Sequence, residues 1–357
     1  MYPAARQRSL LPIFACALLA ACSSTPPTAT QSVSIMTFNV ENLFDTADDP
    51  GKDDATFLPL AAKQNAAHRA GCAKIEVERW RDQCLNWDWN EHMLARKLQV
   101  LADAILQVND GRGADIVALQ EVENRAILER LRRDYLAAAG YRPAILIEGG
   151  DARGIDVAFL SRLPQAAPAV LHGVDFDDDV AAARKLDTRG ILEASFRLPD
   201  GTVLTGFAVH FPAPFHPTAM RVSSYRALNR LLERLPPGRP AFAAGDFNTT
   251  AAEDRDQHLL ARFVEPSWTV AHRIGCGGCP GTQYYAADDS WSFLDMILWS
   301  PARRGENATW HIRADSVQLA NMMPAQRKKD GTPARFEVAA GSGVSDHWPL
   351  VAEIQSN

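Results

Sequence analysis

The sequence predicts a layered α/β fold with more than one sheet, and three observations carry that expectation. Eight apolar, β-branched runs read as strands with buried faces: Val33 to Val40, Ile116 to Val122, Ile155 to Leu160, Gly190 to Phe196, Val203 to Val209, Ala241 to Phe247, Phe293 to Trp299 and His347 to Ile354. That many strands in one domain imply two sheets. Helical spacing appears in Met93, Leu94, Leu98, Leu101, Ala102, Ile105 and Leu106 behind an N-cap-type Asn90, and again from Thr218 to Leu235, with Met220, Leu228, Leu231 and Leu232 inward. Helices interspersed among strands favour α/β layers over a sandwich of strands alone. No repeat, heptad series or second apolar span competes with this reading.

Taken in order, the chain of 357 residues opens on a targeting segment. Arg6 and Arg8 precede an apolar run from Leu10 to Ala21 that is too short to span a membrane as a mature helix. Leu19-Ala20-Ala21-Cys22 resembles a bacterial lipobox, so residues 1–21 are expected to be cleaved as a lipoprotein signal and Cys22 to carry the lipid; an ordinary signal peptide is the alternative. Several acyl chains would anchor the protein to a membrane far better than one. The uncharged Ser, Thr and Pro-rich stretch that follows reads as a tether, giving segments 22–32 (tether) and 33–355 (folded domain).

The segment from Asp45 to Asn90 breaks the apolar pattern. It is polar, holds Asp48, Asp49, Asp53 and Asp54 together with Cys72 and Cys84, and reads as a long insertion, either a binding loop or decoration. Beyond Cys16 and Cys22 four cysteines remain, an even number that suggests disulfides in an exported protein. Of three connectivities, Cys72–Cys84 with Cys276–Cys279 is the most local. A four-cysteine zinc site is the rival, disfavoured because the first pair is twelve residues apart.

A formal net charge of −6 argues against a broad nucleic-acid-binding surface, although a small basic cleft remains compatible with it. The basic clusters are Arg184-Lys185, Arg303-Arg304 and Arg327-Lys328-Lys329.

Function is written where polar residues end apolar strands. Asn39 and Glu41 close the first run, Gln120 and Glu121 the second, His210 the fifth, Asp246 and Asn248 the sixth; Asp295 lies in the seventh and Asp346-His347 opens the last. Carboxylates so placed are costly unless a metal, a proton or a hydrogen bond compensates them. Converged, they offer hard oxygen ligands for Mg²⁺ beside two histidines that move protons near neutral pH, a set suited to metal-assisted hydrolysis.

Five ordered segments make this specific. Thr37-Phe38-Asn39-Val40-Glu41-Asn42, Ile116 to Val122 ending in Gln120-Glu121, Gly245-Asp246-Phe247-Asn248, Leu294-Asp295-Met296-Ile297 and Ser345-Asp346-His347-Trp348-Pro349-Leu350 resemble the motifs of the endonuclease/exonuclease/phosphatase superfamily, over residues 33 to 354. The resemblance implies a deoxyribonuclease I-like four-layer α/β sandwich, with two mixed sheets face to face and helices outside. It implies Glu121 as principal ligand of Mg²⁺ (or Mn²⁺), Asn39 as its partner and Asp346 at the metal edge. Asp246 and Asn248 would position the attacking water, Asn248 also contacting the phosphate. His347, oriented by Asp295, would act on the scissile phosphate and His210 on the leaving group. Phe211-Pro212-Ala213-Pro214 departs from the usual continuation after that histidine, and His216 reads as a solvent or turn residue. Arg189 is expected either to clamp phosphate or to form a surface salt bridge. Asp156 would brace His210 or Arg189, or make a structural hydrogen bond.

The leading expectation is a monomeric, exported and lipid-anchored phosphodiesterase cleaving extracellular nucleic acid, on the outer membrane or periplasmic face. The alternative is a phosphomonoesterase or sphingomyelinase-type phospholipid hydrolase, which a membrane anchor would suit. A non-catalytic surface binding protein is the third reading, and the competent residue at every polar motif position argues against it.

Overall fold

The computed structural model describes residues 1, 3–4, 30–177, 180, 188–301 and 309–357. The signal segment from Arg6 to Ala21, Cys16, Cys22 and the tether as far as residue 29, and the Arg184-Lys185 and Arg303-Arg304 clusters lie outside them. The residues from Gln31 to Asn357 cluster as one unit, separate from Met1–Thr30.

In chain order the strands are β1 (Ser32–Leu43), β2 (Ile116–Val122), β3 (Ile145–Leu146), β4 (Asp156–Ser161), β5 (Gln165–His172), β6 (Ile191–Arg197) and β7 (Val203–His210). They continue with β8 (Ala241–Asp246), β9 (Thr269–Val270), β10 (Gln283–Tyr285), β11 (Ser290–Ser292), β12 (Asp295–Ser300), β13 (Trp310–Leu319) and β14 (Leu350–Ser356). One six-stranded sheet has the order β13-β14-β1-β2-β4-β3 and the other β5-β6-β7-β8-β12-β9, with β10 and β11 as a hairpin. Both are mixed: β1 pairs with β2, and β7 with β8, in parallel, while their other neighbours run antiparallel. The predicted α/β sandwich is what forms.

Side-chain alternation builds its layers. Val33 and Ile35 of β1, Ile116 and Ala118 of β2, Leu204 and Ala208 of β7, Phe242 and Ala244 of β8, and Ile297 and Trp299 of β12 share one core between the sheets. The opposite parity of β1 and β2, with Met36, Phe38, Val117 and Leu119, packs against helix α3 (Glu91–Leu106), which follows α1 (Ala66–Cys72) and α2 (Glu78–Asn86). Ala243, Phe207 and Met296 of the second sheet pack against the later helix Thr218–Arg234, with α4 (Arg125–Arg130) intervening in the chain and the helix named α5. Asn90 caps α3, accepting from His92 N at 2.9 Å and Met93 N at 3.1 Å.

Differences from the expected elements have one physical pattern. The unexpected strands β3, β5, β9 and β13 sit at or towards sheet edges, and β10–β11 stands apart. β5, Gln165-Ala166-Ala167-Pro168-Ala169-Val170-Leu171-His172, is apolar but built on alanine with a proline inside it, so it lacks the β-branched composition that marks a strand. The Asp45–Asn90 insertion holds α1 and α2, joined by the Cys72–Cys84 disulfide; Cys276 pairs with Cys279, so the cysteines form two local bridges and not a zinc site. Among the described residues no helix is long and apolar enough to cross a membrane.

Candidate active site

Register assembles the site. His210 lies opposite Asp246 across β7 and β8, and Asp246 opposite Asp295 across β8 and β12, so three neighbouring strands bring these side chains into one row. All three continue the parity that faces the other sheet. From that sheet comes Asn39, opposite Gln120, whose Nδ2 donates to Asp246 Oδ2 at 3.1 Å and Glu121 Oε1 at 3.4 Å, bridging the two sheets. Gly245 lets β8 come this close to β7: its φ is +155°, and a Cβ there would stand 1.9 Å from Val209 O.

Two bulges turn acids out of the pleat. Pairing of β1 with β2 shifts between Asn39 and Leu43, where Glu41 and Asn42 have φ of 52° and 64°. β2 shifts against β4 at Glu121, φ 64°. Left-handed backbone at non-glycine residues costs about 1–3 kcal/mol each, which the surroundings must offset. They do so at Glu41: its N–H donates to Asn39 Oδ1 (3.0 Å), and its carboxylate accepts from Arg335 Nε, Phe336 N (3.1 Å) and Asp346 N (3.0 Å).

His347 precedes β14 and is held by Ser345, whose Oγ accepts from His347 N at 3.1 Å and donates to Asn39 O at 2.7 Å. Its Nδ1 meets Asp295 Oδ2 at 2.7 Å, and Asp295 N donates to Thr282 Oγ1 at 3.1 Å. Burial opposes a charge on His347, but Asp295 foremost, then Asp246 and Asp346, outweigh it and hold the imidazole well above its ordinary range. His210 is the reverse. Burial, then Arg189, Arg153 and His347, push it well below that range, leaving a neutral ring with Nε2 3.6 Å from Asp246 Oδ2 and 3.9 Å from Glu121 Oε1. Burial and the neighbouring Asp295 raise Asp246 to about 7 against the pull of His347. Two histidines at one edge thus stand in opposite charge states, the arrangement that separates acid from base roles.

Donor atoms of Asp246, Asp295 and His347 fall within 4.8 Å of one another. Two of them are already joined by a hydrogen bond, so the group is a proton-sharing pair beside a carboxylate rather than a metal cage. The residues expected to hold the metal do fit one. Among the described residues the only hydrogen bond of the half-buried Glu121 is the long one from Asn39, which leaves its carboxylate open, and hard oxygens of this kind suit Mg²⁺ or Mn²⁺. Asp346 is half-buried, 3.4 Å from Arg335 Nη2 and 4.0 Å from His347 Nε2.

The remaining expectations fare differently. Asn248 is at the row: its N–H donates to Asp246 Oδ1 (2.8 Å), and its Nδ2 donates to Phe211 O (3.0 Å). Arg189 forms neither a surface salt bridge nor an open clamp. It is buried with Nε 3.0 Å from Asp151 Oδ2, close enough to act on His210 by charge. Asp156 accepts from Gly149 N at 2.8 Å rather than bracing His210 or Arg189. His216 closes a turn, its N–H donating to Ala213 O at 2.9 Å, and it is buried rather than in solvent.

Sequence reading passed over Arg335 and Lys97. Lys97 lies fully buried on the inner face of α3, donates to Val344 O at 2.8 Å, and is drawn down to about 8 by burial against the pull of Glu41. Its place one turn from Met93, Leu94 and Leu101 was a usable signal; Arg335, outside every motif and strand, offered none.

A profile of the Endonuclease/Exonuclease/phosphatase family matches residues 36–347. Among solved structures, a family protein from Bacteroides thetaiotaomicron superposes with a TM-score of 0.55 at 15% identity, covering 92% of this chain and 99% of its own. One from Bacteroides vulgatus gives 0.53 at 17%, covering 92% and 100%, and humanized D. rerio TDP2 gives 0.51 at 16%, covering 90% and 98%. At these identities the likeness carries the fold alone. Comparison with curated proteins yields no match.

Proposed function

The chain belongs to the endonuclease/exonuclease/phosphatase family, and from that membership and the geometry of the edge we propose that it is a metal-dependent phosphodiesterase cleaving nucleic acid outside the cytoplasm. The coarser statement, a hydrolase of phosphate esters, follows from the family. The observation that carries the mechanism is the row in which His210, Asp246 and Asp295 stand opposite one another on neighbouring strands, with His347 Nδ1 2.7 Å from Asp295 and Asn39 donating to Asp246 at 3.1 Å.

Each residue then has a role. A divalent ion held by Glu121, with Asn39 and Asp346 at its edge, supplies Lewis-acid polarisation of the phosphate when bound. The His347 imidazolium, kept charged by Asp295, faces the negative charge that builds on the phosphoryl oxygens. Asp246, raised to about 7, takes the proton of the attacking water, and Asn248 fixes that carboxylate through its backbone N–H. His210 lies on the leaving-group side; burial foremost, and then Arg189 from its ion pair with Asp151, disfavour its charged form.

A nucleic-acid substrate is supported by two exposed rings on segments that also carry site residues or pair with them. Phe215, 71% exposed, follows His210 by five residues, and Tyr285, 57% exposed, stands on the β10–β11 hairpin whose Gln283 bridges to His347. Exposed rings give unpaired bases surfaces to stack on. Two disulfides support export to an oxidising compartment, with Cys22 as the lipid anchor. The test is one screen of single-stranded and plasmid DNA, RNA, sphingomyelin vesicles and inositol phosphates, each with Mg²⁺, Mn²⁺ or chelator. Metal-dependent cleavage of DNA or RNA that is lost in His347→Ala is expected; cleavage of sphingomyelin or a phosphomonoester alone would replace this substrate with the lipid or monoester reading. Labelling with a radioactive fatty acid tests the anchor: label is expected in the wild type and absent from Cys22→Ala, and an unlabelled wild type removes it.

A further inference from the structure

A second acidic group, unused by this chemistry, lies where the Asp45–Asn90 insertion leaves β1. Donor oxygens of Asp49, Asp54 and Glu123 fall within 4.8 Å of one another, and Asp54 and Glu123 are only 1% and 3% exposed. The backbone uses one oxygen of each buried acid: Asp49 N donates to Asp54 Oδ2 at 2.8 Å, and Asp45 N to Glu123 Oε2 at 2.6 Å. The other two oxygens, Asp54 Oδ1 and Glu123 Oε1, are buried with no hydrogen-bond partner. Asp45 and Asp48 stand near enough to act on them by charge. Among the described residues no lysine, arginine or histidine forms an ion pair with any of the five acids. Lys52, from the same loop, turns instead to Asp151 O, at 2.9 Å. Crowded, buried carboxylates with empty lone pairs are strongly unfavourable unless a proton or a cation neutralises them.

We infer that Asp49, Asp54 and Glu123 hold a calcium ion, separate from the metal at Glu121, which fastens the insertion to the end of β2. Calcium takes six to eight oxygens in irregular geometry, which a loop rich in carboxylates and carbonyls supplies, whereas Mg²⁺ is more often held by one or two carboxylates plus substrate phosphate. The consequence reaches the site. Asp53 N donates to Ala152 O at 2.9 Å and Lys52 Nζ to Asp151 O, so the ion-bound loop steadies the segment that carries Asp151, the partner of Arg189.

The experiment uses the metal-stripped full chain carrying Glu121→Gln, so that the hydrolytic metal site is already weakened, and titrates it with Ca²⁺ by equilibrium dialysis and thermal unfolding. One Ca²⁺ bound per chain and a saturable rise in Tm of a few degrees are expected. Adding Asp49→Asn or Asp54→Asn should abolish both. The half-buried Asp49→Asn should also unfold, without Ca²⁺, at or above the temperature of its parent, because one crowded charge is gone; this readout shows that the variant is folded. No Ca²⁺ uptake by the Glu121→Gln chain, or undiminished uptake by both added variants, overturns the assignment.

Discussion

Replacing Asp295 with Asn keeps the shape of the side chain and removes the charge that holds His347 as an imidazolium. Asp295 is fully buried, and its contact with His347 Nδ1 is 2.7 Å. At that distance the gross attraction is about 6 kcal/mol with an effective dielectric of about 20. Burial of His347 opposes it, so losing the carboxylate should leave the imidazole neutral at pH 7. The sign follows from the direction: a raised histidine carries its charge below its native pKa and loses it as pH rises through that value. Asp295→Asn should therefore move the alkaline limb of kcat/KM towards acid and cost about 10²- to 10³-fold at pH 7. His347→Ala should cost about 10³- to 10⁴-fold, and the double variant hardly more, because the pair acts as a unit. The assay is a double-mutant cycle on kcat/KM with circular dichroism on each variant. Fully multiplicative losses, or an unmoved alkaline limb in Asp295→Asn, would mean that Asp295 works without His347 and would refute the pairing.

Glu121→Gln should retain the fold and lose turnover at low Mg²⁺; unchanged activity there would remove Glu121 from the metal. Gly245→Ala places a Cβ 1.9 Å from Val209 O. It should destabilise the chain by about 3 kcal/mol or more, read from the urea midpoint, and lower kcat/KM at least tenfold by parting His210 from Asp246; an unshifted midpoint would show that β7 and β8 are not so close. Serine at both Cys72 and Cys84, which close a loop of separation 12, should lower stability by about 2–3 kcal/mol. Thiol titration of the unfolded domain from Ser32 onward should find none before reduction and four after it, and four free thiols beforehand would dismiss both bridges.

The legible parts of this molecule are those whose physics is local. β1, β2, β4, β7, β8 and β12 are buried on both faces, so their composition announces them; the edge strands β5, built on alanine with an internal proline, and β13, largely polar, carry no such signature. Asn39, Glu121, His210, Asp246 and Asp295 were legible because a polar residue ending an apolar strand is costly without a purpose. Lys97 shows only as a lysine among the apolar positions of a helix, and Arg335 not at all, since the meaning of both lies in Glu41, 56 and 294 residues away in the chain.

By itself, then, the sequence determined the layer type, the kinds of chemical group and the ends of the strands that bear them. The tertiary structure bears out the expected pairing of Asp295 with His347, and it alone decided that Asp151 and not Asp156 takes Arg189 and that their surroundings push His210 down and His347 up. Residue type sets what a side chain can do, but protonation and partnership depend on burial and on charges brought close by strand register, across sequence separations that local pattern does not encode.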